Sequence, residues 1–357
     1  PAIADQRGVN FRNIIINGDM SIAQRGTSSS NVSTGYHTCD RWKISRGAGT
    51  ITMSQETDAP TGSGFVKSIK FLEAGSGSSP SAGDRNFLQH RIEGQNLQYL
   101  KKGTSSAKQL TLSFHVKSTV TGTYIAELFD NDNSRQVSKA YTVSSANTWE
   151  YKTITFPADT TGTFDNDNGS SLHLNLYFTA GSNYTSGTLN TTWNSSTTAN
   201  RAVGQVNVVA SANGAIQWTG IQLEAGQVAS DFEFLPFDIN LRRCERYYTV
   251  SQEVDEWGGF ANEDRNAIFA GRLGAFSNQP VHVRFPVRMR TLPTVTVYSL
   301  TGESGHVSDT GTSAGSPASN DNVSTARVSE SGIGYVTGFS GDSGDGLAFQ
   351  YEADSEL

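Results

Sequence analysis

One stretch of sequence decides the fold. It consists of Ile221-Gln222-Leu223-Glu224-Ala225-Gly226, then Asp231-Phe232-Glu233-Phe234, then Arg242-Arg243-Cys244-Glu245-Arg246-Tyr247-Tyr248. In its first part, apolar and polar side chains alternate, which is typical of a β-strand with one buried face. A turn follows, and then a short segment with helical spacing that ends on paired tyrosines. The stretch therefore predicts the end of a long β-domain, a short helix and the start of a smaller domain.

The composition favours an all-β protein with many turns. Of the 357 residues, 36% are hydrophobic and 17% are charged, and 36 are glycines. The 18 Phe, 12 Tyr and 5 Trp residues supply enough large apolar side chains to fill hydrophobic cores. This content of aromatic residues separates the chain from disordered proteins, which lack them.

The net charge of −7 argues against a nucleic-acid-binding protein, because such proteins carry a basic patch. No segment approaches the roughly 18 consecutive apolar residues of a membrane span. No basic stretch followed by an apolar one indicates a signal peptide. The two cysteines, Cys39 and Cys244, are far apart in sequence. We expect two isolated buried thiols, although the sequence alone leaves a disulfide between them open.

Short segments with strand periodicity recur along the chain and predict a two-sheet sandwich of the jelly-roll type. The clearest is 109–117, in which four apolar residues alternate with polar ones. An apolar strand is expected at 13–16, and a helix at about 239–248 with Asp238 as its N-cap. A loop is expected from about 302 to 322. The predicted organisation is an N-terminal arm at 1–12, a jelly-roll β-sandwich at 13–236, a helical connector at 237–250 and a smaller C-terminal β-domain at 251–357.

Several motifs resemble, in the same order, a domain of tail-fibre and related appendage proteins of bacteriophages. They are NIIINGDM at 13–20, AQRG at 23–26, DRW at 40–42, QHRIE at 89–93, LTLSFHVK at 110–117, WE at 149–150 with TITF at 153–156, and GIQLEAG at 220–226. The resemblance covers about residues 13–250. The segment VRFPVRMRTLPT at 283–294 is similar to the C-terminal part of such fibres, whereas residues 301–357 match no motif.

The resemblance implies a jelly-roll domain like that of carbohydrate-binding modules, within a virion protein. It further implies a homotrimer whose N-terminal arm contacts other tail or baseplate proteins. The expected ligand is a bacterial surface polysaccharide, with no nucleic acid and no membrane insertion. Such a protein is assembled in the host cytoplasm, released by lysis and located in the virion.

The main hypothesis is therefore a tail fibre or similar appendage that binds a bacterial surface glycan, with the C-terminal β-domain as the receptor-binding tip. One alternative is a purely structural connector or head decoration protein. A second alternative is an enzyme that degrades capsule or lipopolysaccharide. That alternative needs two close carboxylates, and the sequence brings no such pair together. Gly341-Asp342-Ser343-Gly344 is similar to a serine-protease nucleophile loop, but no base accompanies it, so a turn is expected. We expect a protein without enzymatic activity.

Sugar binding needs an aromatic face for stacking and fixed polar groups for the hydroxyls. The candidates are Tyr184 and Trp193, in a polar region that predicts exposure, and Trp257 and Phe260, in a glycine-rich loop. The alternative is that these aromatic residues fill seams between domains or subunits. The remaining tryptophans are expected in the core: Trp42, Trp149 and Trp218.

The segment Asp165-Asn166-Asp167-Asn168-Gly169 offers hard oxygen ligands that suit Ca²⁺. Its spacing does not match an EF-hand loop, and a solvated turn in which side chains cap the backbone is the default. Asp165 and Asp167 are therefore weak candidates for a structural calcium site. No other cofactor is expected.

Overall fold

The computed structural model describes residues 11–252, 267–271, 278–309, 320–322, 324–338 and 346–357. The described chain divides into two compact units. The first ends at Phe237 and also takes in Leu357, and the second spans Asp238–Glu356. Regular structure in both units is mainly β-strand, and the predicted fold class is confirmed: a jelly-roll sandwich followed by a short helix and a smaller β-unit.

The first unit consists of two antiparallel sheets that face each other. Sheet one has the strand order β1-β4-β5-β13-β7-β10, and sheet two has the order β12-β9-β8-β11-β6-β3-β2. The strands are β1 Ser28–Ser29, β2 Gly35–Tyr36, β3 Lys43–Ser45, β4 Ile51–Glu56, β5 Ser68–Glu73, β6 Arg85–Glu93, β7 Leu110–Ser118, β8 Gly122–Asp130, β9 Arg135–Val143, β10 Glu150–Phe156, β11 Ser170–Ala180, β12 Asn194–Ser195 and β13 Ala215–Ala225. Short helices are α1 Ser182–Thr185 and the 3-10 turns Gly94–Asn96, Gln98–Leu100, Thr198–Asn200 and Val208–Ala210.

The core of the first unit lies between the two sheets and is built by period-two alternation. Phe71 of β5, Phe178 of β11 and Trp218 of β13 meet there, with ring centroids 5.2 and 6.0 Å from Phe71. Each of the three is at most 1% exposed. Burial of one such side chain contributes about 1.5–3 kcal/mol relative to exposure, so this aromatic centre stabilises the sandwich strongly.

Strand β13, near the end of the first unit, forms hydrogen bonds with residues near its start. Its pairing with β7 shifts register between Thr219 and Gln222, which marks a bulge. At the bulge, the Ile221 backbone N–H donates to the carbonyl of Gly18 (2.9 Å). The Asn13 side chain donates to the Ile221 carbonyl (3.3 Å) and accepts from the Leu223 N–H (3.1 Å). The bulge thus leaves backbone groups that the start of the chain satisfies.

The second unit is organised around one long strand, β22, which pairs with β14, β15, β17 and β18. A smaller sheet has the order β16-β21-β20, and Val281, Val336 and Phe349 lie in the core. The elements are α2 Phe237–Glu245, β14 Tyr248–Val250, β15 Ile268–Gly271, β16 Asn278–Arg284, β17 Thr294–Tyr298, β18 His306–Asp309, β19 Asn320–Asn322, β20 Ser324–Ser329, β21 Gly332–Thr337 and β22 Gly346–Asp354. Within the described parts of the chain, no helix has the length and apolar character needed to cross a membrane.

Three local predictions need correction. Residues 13–16 are buried but do not form a strand, because the Asn13 side chain occupies backbone groups that a strand partner would use. The helix begins at Phe237, so Asp238 lies in its first turn rather than capping it. The predicted loop at 302–322 contains β18 and β19 in its described part.

The thiols are as expected: Cys39 and Cys244 are both buried, and neither forms a disulfide. Burial, reinforced by the nearby Asp40 carboxylate, raises the pKa of the Cys39 thiol well above its usual value.

Replacing Asn13 by alanine tests the role of the bulge. The change removes the partners of the Ile15 and Leu223 N–H groups and of the Ile221 carbonyl, all buried. We expect the free energy of unfolding to fall by about 2–4 kcal/mol, because unpaired buried polar groups are costly. Urea unfolding followed by tryptophan fluorescence measures it. Asn194→Ala, at an exposed site with only local bonds, is the control. An equal effect of both variants would contradict the assignment.

Candidate functional site

The outer face of sheet one, opposite the core, carries a continuous row of aromatic rings. Tyr151 of β10 lies directly opposite His115 of β7 in the strand register, with ring centroids 5.0 Å apart. His115 contacts Phe65 at 5.4 Å, and Phe65 contacts Phe234 at 5.0 Å. The two ends of the row are open to solvent, because Tyr151 is 52% and Phe234 is 51% exposed.

A glycine allows Phe65 to take its place in this row. Gly220, in the bulge of β13, has a φ of +62°, and a Cβ built there would lie 2.4 Å from the Phe65 ring. Only glycine adopts this backbone conformation without strain and leaves room for the ring. The bulge therefore forms hydrogen bonds with Asn13 and Gly18, and its glycine leaves room for the Phe65 side chain on the outer face.

A polar group borders the row beside Tyr151. Trp149 lies two residues earlier, on the same side of the chain. Its indole N–H donates to Asp58 (3.1 Å), whose other carboxylate oxygen accepts from the Lys117 ammonium (2.7 Å). Burial opposes ionisation of Asp58, but the hydrogen bonds from Lys117 and Trp149 outweigh it and hold the pKa of Asp58 below its usual value. We call Phe65, His115, Trp149, Tyr151 and Phe234 the aromatic platform.

The platform carries little net charge at neutral pH. Partial burial lowers the pKa of His115 from its ordinary value of 6.5, which favours the neutral ring. Lys117 and Asp58 neutralise each other. The face thus offers flat apolar rings bordered by hydrogen-bonding groups, which is a combination that suits uncharged hydroxylated rings.

The outer face of sheet two is different, because part of residues 181–206, which we call the covering segment, packs on it. Ala202 of this segment packs with Phe87, Ile125 and Tyr177. Arg201 forms two hydrogen bonds with the carboxylate of Glu127 (2.8 and 2.7 Å). Glu127 is fully buried, and it also accepts from Asn175 and Tyr177. The chain itself therefore covers this part of the face.

Tyr184 and Trp193 both belong to the covering segment and are half-buried. The Tyr184 hydroxyl accepts a hydrogen bond from Arg85 (2.9 Å), whose guanidinium also lies 4.9 Å from the ring centroid. The Trp193 indole donates to the Pro157 carbonyl (2.9 Å), and the Lys102 ammonium lies 5.4 Å from its ring. The two rings are therefore half-buried within a region that is otherwise mostly exposed, because their polar atoms find partners within the unit.

The other tryptophan predictions divide. Trp42 and Trp218 are fully buried, which confirms their assignment to the core. Trp149 is half-buried at the platform, so its assignment to the core is wrong: it lies at the start of an edge strand, with its indole turned toward Asp58. Trp257 and Phe260 lie outside the described residues, and so does the turn at 341–344.

The calcium candidates Asp165 and Asp167 are exposed in a loop. The Asp167 carboxylate accepts from the Gly169 N–H (2.8 Å), as in a turn that a side chain caps. The Asp165 N–H donates to Asp132 (3.0 Å). In the part of the chain that the structure describes, no three His, Cys, Asp or Glu side chains gather as metal ligands do. The metal site stays a prediction.

Three acidic residues that a glycosidase could use have structural partners instead. Glu127 binds Arg201, Glu224 accepts from the Ser230 hydroxyl and backbone N–H, and Glu233 accepts from the N–H groups of Phe11 and Asn13. Asp130 and Asp159 both contact the Lys102 ammonium, at 2.5 and 3.1 Å, and Arg135 contacts Asp159 at 2.8 Å. These contacts hold the carboxylates in place as structural groups.

No protein-family model matches the chain, and no curated protein matches it. Among solved structures, the enzymatically active domain of bacteriophage CBA120 tailspike protein 4 is similar at 14% identity and a TM-score of 0.33; the match covers 60% of this chain and 22% of the tailspike chain. A CBM4 structure matches at 12% identity and a TM-score of 0.30, covering 59% of this chain and 98% of the other. TmCBM61 in complex with β-1,4-galactotriose matches at 9% identity and a TM-score of 0.31, covering 60% of this chain and 99% of the other. Since these scores are low, the fold class rests on the chain's own strand pairing.

The buried His173 on sheet two gives a prediction for pH dependence. Burial, and then the nearby Arg91, Arg201 and Lys43, lower the pKa of His173 from 6.5 to about 3. Between these values the unfolded chain binds a proton that the folded protein does not, so stability falls as pH falls. We expect the free energy of unfolding to lose up to about 1.4 kcal/mol per pH unit in this window.

His173→Gln should make the free energy of unfolding depend less on pH. Urea unfolding at several pH values measures this. His37→Gln, at a histidine that bonds the exposed Ser33 carbonyl, is the control. A wild-type slope that His173→Gln leaves unchanged would refute this account.

Proposed function

We propose that the protein is a bacteriophage appendage, a tail fibre or a comparable virion protein, that binds a bacterial surface polysaccharide without cleaving it. The observation that carries the proposal is the aromatic platform: a row of rings on the outer face of sheet one whose two end rings, Tyr151 and Phe234, are open to solvent. Exposed aromatic residues are costly to keep in water, so two such rings at the ends of one row indicate a binding surface.

The chemistry of the platform favours a sugar chain as its ligand. The open faces of Tyr151 and Phe234 can stack on the apolar faces of pyranose rings. The Asp58 carboxylate and the Lys117 ammonium can bind hydroxyl groups beside Tyr151. Because these two groups are already paired with each other, the platform suits a neutral stretch of polysaccharide better than a charged one.

The place of the protein in the virion is part of the same proposal. The motifs shared with phage fibres support a homotrimer that is attached to tail or baseplate proteins through its N-terminal arm. Several platforms on one particle would bind together, so weak single contacts would sum to firm attachment. That the C-terminal unit forms the receptor-binding tip stays a prediction, because its candidates Trp257 and Phe260 lie outside the described residues.

The platform is tested by replacing its most exposed ring. Tyr151→Ala removes one stacking surface, so we expect the affinity for a bound polysaccharide to fall about tenfold, equivalent to about 1.4 kcal/mol. A bacterial glycan array identifies the polysaccharide, and calorimetric titration measures the affinity. Tyr99→Ala is the matched control, because Tyr99 is 48% exposed and lies outside the platform.

Three results would contradict the proposal. Equal losses for both tyrosine variants would remove the platform from the binding site. Binding to no polysaccharide would favour a purely structural protein, and release of reducing ends from host polysaccharide would favour an enzyme.

A further inference from the structure

A second concave site lies in the first unit, next to the 3-10 turn Gln98–Leu100. It is a pocket of about 350 Å³, within the size range of roughly 300–1,000 Å³ that is common for small-molecule sites. Leu97 and Phe164 line it with apolar surface, and Lys101, Ser106 and Thr163 contribute polar groups. Leu97 is fully buried and Phe164 is 7% exposed, so these two side chains form its base.

The walls of the pocket are held in place before any ligand binds. The Gln98 side-chain amide donates to the carbonyls of Gly94, Phe164 and Asp165 (3.0, 3.3 and 3.1 Å), which ties the 3-10 turn to the loop at 163–165. On the other wall, the Thr104 hydroxyl donates to the Lys101 carbonyl (2.8 Å). A pocket with fixed walls loses little conformational entropy when it binds a ligand.

The two adjacent lysines of the pocket differ in what their ammonium groups contact. Lys102 is buried and bonds to Asp130, Asp159 and two backbone carbonyls. Lys101 is exposed, and within the described residues its ammonium has no hydrogen bond or ion pair. Lys102 is therefore a structural cation, and Lys101 is available to a ligand.

The charged groups near the pocket are mostly neutralised within the unit. Lys102 and Arg135 bind Asp130 and Asp159, and Lys117 binds Asp58 on the platform. Asp165, which follows Phe164, and Asp132, which accepts from the Asp165 N–H, are exposed. The Lys101 ammonium is thus the cationic group with which this pocket can complement an anion.

We propose that this pocket binds an acidic monosaccharide unit, with a carboxylate or phosphate group on the Lys101 ammonium. The Ser106 and Thr163 hydroxyls would bind hydroxyl groups of the sugar ring, and Phe164 and Leu97 would contact its apolar face. That the ligand is a saccharide rests on the proposed function, whereas the selection of an anion rests on the pocket itself. The protein then has two sites of different chemistry: a platform for neutral chain and a pocket for an acidic unit.

The test uses the full chain and three probes: glucuronic acid, glucose 6-phosphate and glucose. Amide chemical shifts of the pocket residues are followed with each probe at concentrations up to about 50 mM, because affinities for single sugars are often millimolar. We expect saturable binding of one or both acidic sugars, and glucose binding weaker by about tenfold or more. The acid that binds distinguishes a carboxylate from a phosphate ligand.

Two variants assign the binding to Lys101 and to the pocket. Lys101→Gln removes the charge but keeps a polar, slightly shorter side chain, and should weaken binding of the acidic sugar about tenfold. Lys67→Gln makes the same charge change outside the pocket and should have no effect. Ser106→Trp, at an exposed position, should fill the pocket and abolish binding while the protein stays folded.

The proposal is overturned if no probe binds saturably, if glucose binds as tightly as the acids, or if the two lysine variants behave alike. Absence of polysaccharide binding at the platform is a separate result. Tyr151→Ala should leave binding of the acidic sugar unchanged, so loss of polysaccharide binding at the platform and loss of acid binding at the pocket are read independently.

Discussion

The pairing of the first residues of the sandwich with the bulge of its last strand is the constraint on which the first unit depends. Asn13 and Gly18 satisfy backbone groups of Ile221, in the bulge, and of Leu223, just after it. The same bulge contains Gly220, above which Phe65 packs. One irregularity in a strand thereby closes the sandwich and shapes its outer surface, so fold and candidate site have a common origin.

Much of the fold could be predicted from the sequence, because period-two alternation is a local property. The alternating residues of 109–117 form β7, and the all-β class follows from many such segments. The predictions from sequence were wrong where a side chain replaces a backbone hydrogen-bond partner. Asn13 takes hydrogen bonds that a strand would make, and no alternation pattern reveals this. The start of α2 at Phe237 was equally hidden, since packing determines it.

The candidate site was harder to predict, because exposure depends on which sheet face the chain covers. Alternation along a strand shows which residues share a face of the sheet, but it does not show which face meets water. The pattern alone therefore cannot place Tyr151 outside and Leu174 inside. On sheet two, part of the segment 181–206 packs on the outer face and helps to bury Glu127, while Tyr184 and Trp193 are half-buried. Tyr151 lies on the outer face of sheet one, and although the sequence did not single it out, it is more exposed than Tyr184 and Trp193. The sequence signal that existed was the apolar pair Phe232 and Phe234 beside the bulge.

The state of the two thiols has a practical consequence. Cys39 and Cys244 are buried and form no disulfide, and the Cys39 thiol stays protonated at neutral pH. Alkylating reagents react with the thiolate, so the folded protein should resist them without any engineering of its own cysteines. A single cysteine introduced at a solvent-facing position would then accept a fluorophore or spin label alone, which makes the native chain a ready background for site-specific labelling.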